Sequence, residues 1–300
     1  MIRTALLCVV SLVLALPACG FSREKVIIDT DIGDDIDDAF AVALALRSPQ
    51  LEILGIATTF RDTQSRARLA DHLLEQAGRS DIPVTAGKPT STDQPMSQQA
   101  YADNRPQRTY PDAVGFILQQ IRRYPHQVTL IAIGPLMNLG ALIDRDPGTF
   151  CKLKRVVIMG GSINVGYGDQ GAEAEWNIRN DVLSARKLFR SGVPVYVMPL
   201  DATANLRMGP SDRQAIFMEH TPLTDALAEL YHEWGHETPV LFDAMTVAYI
   251  LHQDLCPTTP MNIAVDEWGS TRAESGAANA EVCLHSDPAA FFHFYLQSVQ

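Results

Sequence analysis

The chain has 300 residues, the length of two average domains or one large α/β domain. Hydrophobic residues make up 46% and charged residues 20%, which excludes a disordered or low-complexity chain. With 35 acidic side chains against 24 Lys and Arg, the formal charge is −11, a surface that repels nucleic acid and anionic lipid.

In chain order, Met1-Ile2-Arg3 gives a positive start and Ala5 to Leu16 is almost wholly apolar, closed by Pro17-Ala18-Cys19-Gly20. That apolar stretch is too short to span a bilayer and suits a secretory signal peptide over residues 1–19. Leu16-Pro17-Ala18-Cys19 is similar to a bacterial lipobox, although Pro17 is unusual inside one. The expectation is an exported protein, either a lipoprotein held to the membrane only through Cys19 or a free periplasmic enzyme. Cys151, Cys256 and Cys283 remain after the leader, too few for a disulfide framework and without zinc spacing. One bridge, Cys256 to Cys283, is open in an oxidising compartment.

Val26–Asp29 reads as a buried strand, then Ala39–Leu46 as a helix with Ala39, Val42, Ala43 and Leu46 on one stripe. Strands follow over 51–59, 82–87, 128–133, 155–159 and 193–199, and helices over 64–77, 113–123, 136–143 and 182–190. Residues 88–111 read as a long loop. The repeated β-then-α order predicts an open, mostly parallel sheet with helices on both faces. No linker divides the chain, so one catalytic domain over 21–300 is expected.

Such sheets place their sites beyond the carboxyl ends of the strands. Asp29, Asp31, Asp34, Asp35, Asp37 and Asp38 stand there, after the first strand. Asp34 and Asp35 can be read as helix-terminus charges, but Asp29 and Asp31 follow directly on an apolar strand. Crowded carboxylates repel, and no Lys or Arg lies between Lys25 and Arg47 to offset them. A hard divalent cation would, and an all-oxygen set favours Ca²⁺ or Mg²⁺. The spacing fits no EF-hand, Walker loop or GxGxxG.

Asp29-Thr30-Asp31-Ile32-Gly33 with Asp37-Asp38-Ala39 resembles the signature of the inosine-uridine preferring nucleoside hydrolase family. Gly134-Pro135-Leu136-Met137-Asn138-Leu139, Met159-Gly160-Gly161, Ala174-Glu175-Trp176-Asn177 and Phe242-Asp243-Ala244 resemble its later segments in order. The resemblance implies Ca²⁺-dependent hydrolysis of the N-glycosidic bond of ribonucleosides, with free base and ribose as products. It implies Asp31 as both calcium ligand and general base for water, with Asp38, Asp243 and the Ile133 carbonyl as further ligands. By the same resemblance Asp37, Glu175 and Asn177 bind the ribose and Met159 packs beneath it. Family members are often homodimers or homotetramers, and outside the cytoplasm such an enzyme would suit nucleoside salvage. A carboxylate-rich site also matches an oxocarbenium-like transition state.

Three departures stand out. The glycine-to-aspartate spacing is longer than the family's common DxDPGxDD, so Asp35 competes with Asp38 as ligand. Asp62 and Asp169 stand where the family often has Asn, which alters contacts at the ribose 5′ end. Phe242 replaces the His that can protonate the leaving base, leaving His232, His236 and Tyr231 as substitutes and predicting a preference unlike inosine and uridine. The rival readings are a non-catalytic calcium-dependent nucleoside- or sugar-binding lipoprotein, a hydrolase of another riboside, and a phosphatase using the early Asp-x-Asp.

Overall fold

The computed structural model describes residues 23–300; the leader and the lipobox ending at Cys19 lie outside the described residues. Nine strands, β1 (Glu24–Thr30), β2 (Leu51–Thr58), β3 (Val84–Ala86), β4 (Val128–Ala132), β5 (Arg155–Met159), β6 (Val195–Met198), β7 (Thr258–Val265), β8 (Thr271–Glu274) and β9 (Ala280–Cys283), form one sheet. Their order is β3-β2-β1-β4-β5-β6-β9-β7-β8. All pairs from β3 to β9 are parallel, and only β7 runs antiparallel to its neighbours. β4 and β5 are buried along their whole length, which is why they read as continuous apolar runs without alternation.

Helices cover both faces. Asp37–Leu46, Thr63–Gln76, Ala244–Leu251 and Pro288–Val299 supply one core, and Ala113–Arg123, Met137–Arg145 and Val182–Phe189 the other. The helix Asp37–Leu46 is buried from Asp37 through Ala45 and shows no single apolar stripe. It lies against Pro222–Trp234, Ala244–Leu251 and Pro288–Val299 as well as β2, so every face meets protein. Its Ala-rich sequence permits that close approach.

The loop expected over 88–111 contains a short helix, Gln99–Asp103, with Tyr101 buried in the first core. Asp71 holds the segment by accepting from Arg105 (2.8 Å), Arg108 (2.7 Å) and the Tyr110 hydroxyl (3.1 Å). Cys256 and Cys283 form a disulfide, with their Cα atoms 5.5 Å apart, joining the entry to β7 with the end of β9. No helix among the described residues is long and apolar enough to cross a membrane.

After β1, the chain builds outward through β2 and β3, then returns to place β4 on the other side of β1. The crevice at this reversal, beyond the carboxyl ends of β1 and β4, is the natural ligand position in such a sheet. Asp31 and Ile133 stand at its two lips.

Candidate active site

A cavity of about 320 Å³ opens at that reversal. Its lining includes seven carboxylates, Asp31, Asp34, Asp35, Asp37, Asp38, Glu175 and Asp243, together with Ile133, Met159 and Asn177. Tyr167, Trp176 and Phe242 add an aromatic wall, and Arg179 is the one cation lining it among the described residues.

Close backbone approach makes the crevice. A side chain on Gly134 would place its Cβ 2.7 Å from Asp31 Oδ1 and 2.8 Å from the Asp31 amide nitrogen, so only glycine fits here. Asp29 lies beneath: Asn138 donates to its Oδ1 (2.7 Å), while its Oδ2 is buried without a partner. Burial, opposed by the Asn138 bond, pushes Asp29 up to about 7. Asp29 therefore underlies the site rather than lining it.

Asp37, Asp38 and Asp243 converge, each offering a carboxylate oxygen within 4.8 Å of the others. The Thr30 hydroxyl donates to Asp38, and the Asp243 amide donates to Asp37 (3.2 Å). Desolvation first, and repulsion from the neighbouring carboxylates second, pushes all three well above ordinary carboxylate values. Burial also raises Asp31 to about 6, a shift that the positive charge of Arg66 restrains. Such a set fits a hard cation: buried, all-oxygen and strongly self-repelling without one. Asp31 and Ile133 line the same cavity as the three.

Arg66, remote in sequence, brings to the cluster a cation that the stretch from Lys25 to Arg47 lacks. It is fully buried, donating to the Asp31 carbonyl, to the Ile32 carbonyl (3.0 Å), to the Phe60 carbonyl (3.0 Å) and to Asp34 Oδ2 (2.6 Å). Asp34 also pairs with Arg61 at 3.4 Å, so it anchors the loop and does not serve as a helix-terminus charge. Asp35 lines the cavity outside the convergent trio, raised by burial, with the charge of His236 nearby among the opposing influences.

Glu175 caps the helix Trp176–Arg179, accepting from the amides of Asn177 (2.8 Å), Ile178 (3.1 Å) and Gly161 (3.0 Å). Burial still leaves it raised to about 6. Asn177 donates to the Met159 carbonyl at 3.2 Å, tying this helix to the end of β5. The Tyr167 hydroxyl faces Glu175 (3.4 Å), and its ring meets Phe242 edge-on at 5.8 Å.

Other candidates fall elsewhere. Asp62 caps the helix Thr63–Gln76, accepting from the Ser65 amide (3.1 Å) and hydroxyl (2.7 Å), and is not among the lining residues. His232 lies in the helix Pro222–Trp234 against Tyr231, and His236 against Trp234; neither lines the cavity. Asp169 ends a short turn, Tyr167–Asp169, and its side chain lies outside the described set. Sequence reasoning missed Arg66, Tyr167 and Arg179, none of which stands in a quoted motif. Arg179 carried a readable signal, two positions beyond Asn177.

The family profile described as inosine-uridine preferring nucleoside hydrolase matches residues 26–293. Uridine nucleosidase 1 of Arabidopsis thaliana is 33% identical over 256 residues, 78% of this chain and 75% of that protein. A pyrimidine-specific ribonucleoside hydrolase of Citrobacter koseri is 30% identical over 267 residues, 81% of this chain and 84% of that protein. A plant nucleoside hydrolase structure superposes with TM-score 0.79 at 24% identity, covering 92% of this chain and 98% of that one. A purine-preferring ribonucleoside hydrolase from Gardnerella vaginalis gives 0.78 at 23% identity over 92% and 98%, a likeness of fold. The chain belongs to the inosine-uridine preferring nucleoside hydrolase family and is an N-glycosyl hydrolase.

Proposed function

We propose that this protein hydrolyses ribonucleosides at the β1–β4 crevice with Ca²⁺ held by Asp31, Asp38, Asp243 and the Ile133 carbonyl. The observation that carries the reading is the convergence of buried carboxylates beside Asp31 in one cavity with Glu175 and Asn177. Asp37, which the structure brings beside Asp38 and Asp243, is either a further ligand or the ribose contact. When bound, the ion would lower the pKa of an adjacent water and accept the ribose hydroxyls.

The chain's own residues supply the rest. Asp31 removes the water proton as oxygen attacks C1′. Glu175 and Asn177 hold ribose hydroxyls, so a 2′-deoxy substrate leaves polar groups unpaired and is rejected. The carboxylates stabilise positive charge growing on the sugar ring. Met159, which lines the cavity, packs beneath the ribose.

The test is release of free ribose from purine and pyrimidine ribonucleosides by protein lacking residues 1–19, with calcium and with chelator. Ribose that requires calcium, with 2′-deoxyuridine at least tenfold poorer, is expected. Saturable nucleoside binding without ribose would favour the binding-protein reading.

The apolar leader and Cys19 support export, with either a lipid anchor or a periplasmic location. The Cys256–Cys283 bridge suits the same oxidising compartment.

A further inference from the structure

Seven carboxylates line the cavity and Arg179 is its one lining cation among the described residues. Its guanidinium lies over the Trp176 ring, 4.9 Å from the ring centre, and has no acidic partner among the described residues. Its backbone is fixed from behind. Gly269, in the turn between β7 and β8 with φ +89°, approaches so closely that a Cβ there would lie 2.6 Å from Arg179 Cα. The position is therefore built by two elements, the helix capped by Glu175 and the β7–β8 turn. Phe242, beside Asp243 in the cavity lining, offers no proton to a leaving group.

We propose that Arg179 is a catalytic residue for base departure, donating to the O2 carbonyl of a pyrimidine nucleobase. The inference rests on the hydrolase reading above. Charge decides between the substrate groups that a guanidinium can hold. A phosphate dianion would meet seven carboxylates that Arg179 and the proposed Ca²⁺ together do not offset, whereas a neutral base brings only a carbonyl into the cavity. Pyrimidines carry that carbonyl directly beside the scissile nitrogen; purines carry no oxygen there. In the step, the C1′–N1 bond breaks and its electron pair passes to the base, shared between N1 and O2. Water oxygen forms the new C1′–O bond and its proton goes to Asp31. Arg179 holds the charge on O2 as it develops, and the departed base anion takes a proton from solvent.

Arg179→Gln and Arg179→Lys are compared with wild type on uridine, 5-fluorouridine, 5′-deoxyuridine and inosine, with calcium present. Fluorine makes the departing base more acidic and less dependent on help. Arg179→Gln is expected to lose about 10²-fold in kcat on uridine. The loss should be several-fold smaller on 5-fluorouridine and on inosine, with Arg179→Lys between. Because the side chain is exposed, the variant's melting temperature should match wild type.

Equal losses on uridine and 5-fluorouridine, or a loss under threefold, would overturn the proposal. So would a loss that vanishes with 5′-deoxyuridine, which would put the guanidinium at the ribose 5′ end. A wild type that releases no base from any riboside overturns the hydrolase reading and this one together. An active wild type with equal losses overturns this one alone.

Discussion

Asp29 and Asp31 are raised in the folded protein to about 7 and about 6, from an ordinary 3.8, chiefly because burial disfavours their charged forms. An acid raised on folding stabilises the fold fully below its unfolded pKa, and that stability is lost as pH rises through its folded pKa. For metal-free protein the window therefore runs from about pH 4 to about pH 7. We expect the melting temperature of chelator-treated protein to fall across that window. Calcium, binding the ionised carboxylates, should raise it more at pH 7 than at pH 5. Thermal scans at both values, with and without the ion, check the sign. A calcium effect as large at pH 5 as at pH 7 would contradict it. Asp29 and Asp31 were legible because acids directly after an apolar strand need a reason, whereas Asp37, Asp38 and Asp243 stood out through the family resemblance. Asp62 and Asp169 were singled out by position alone, and Asp62 proved to be a helix cap.

Between elements, the tie that matters is Arg66. It joins the loop after β1 to the helix Thr63–Gln76 and the end of β2 through three carbonyls and Asp34. The Asp31 carbonyl is 35 residues away in sequence, so no local pattern could announce the bond. Arg66→Met should destabilise by about 3–5 kcal/mol, since removal leaves buried carbonyls and Asp34 without their donor. Urea unfolding measures this, and a change below about 1 kcal/mol would show the loop held by other means. Helix existence was easier to read than helix environment. The apolar period announced a helix over Ala39–Leu46, which the structure begins at Asp37, yet its burial on every side depends on the three helices packed around it. The helix Gln99–Asp103 escaped notice because its stability comes from Tyr101 entering the core, not from its five-residue propensity.

Across the whole molecule, the first two-thirds of the chain carried its plan openly, since apolar strands alternate with helices in a parallel sheet. The last third did not. β7 and β8 are partly exposed and pair antiparallel, and β9, last in sequence, inserts between β6 and β7. That late segment also buttresses Arg179 through Gly269, so the active site draws on both ends of the fold. The motifs from Asp29 to Asp243 were legible as separate blocks; their meeting in one crevice follows from the strand order.

The central claim is that Asp31 is the base of a hydrolytic site. The most direct test is kcat for uridine hydrolysis by Asp31→Asn at saturating calcium, with folding verified by an unchanged circular dichroism spectrum. The account predicts a fall of about 10²–10⁴-fold that additional calcium does not restore. Turnover within tenfold of wild type would contradict it and move the proton acceptor to another carboxylate of the cavity.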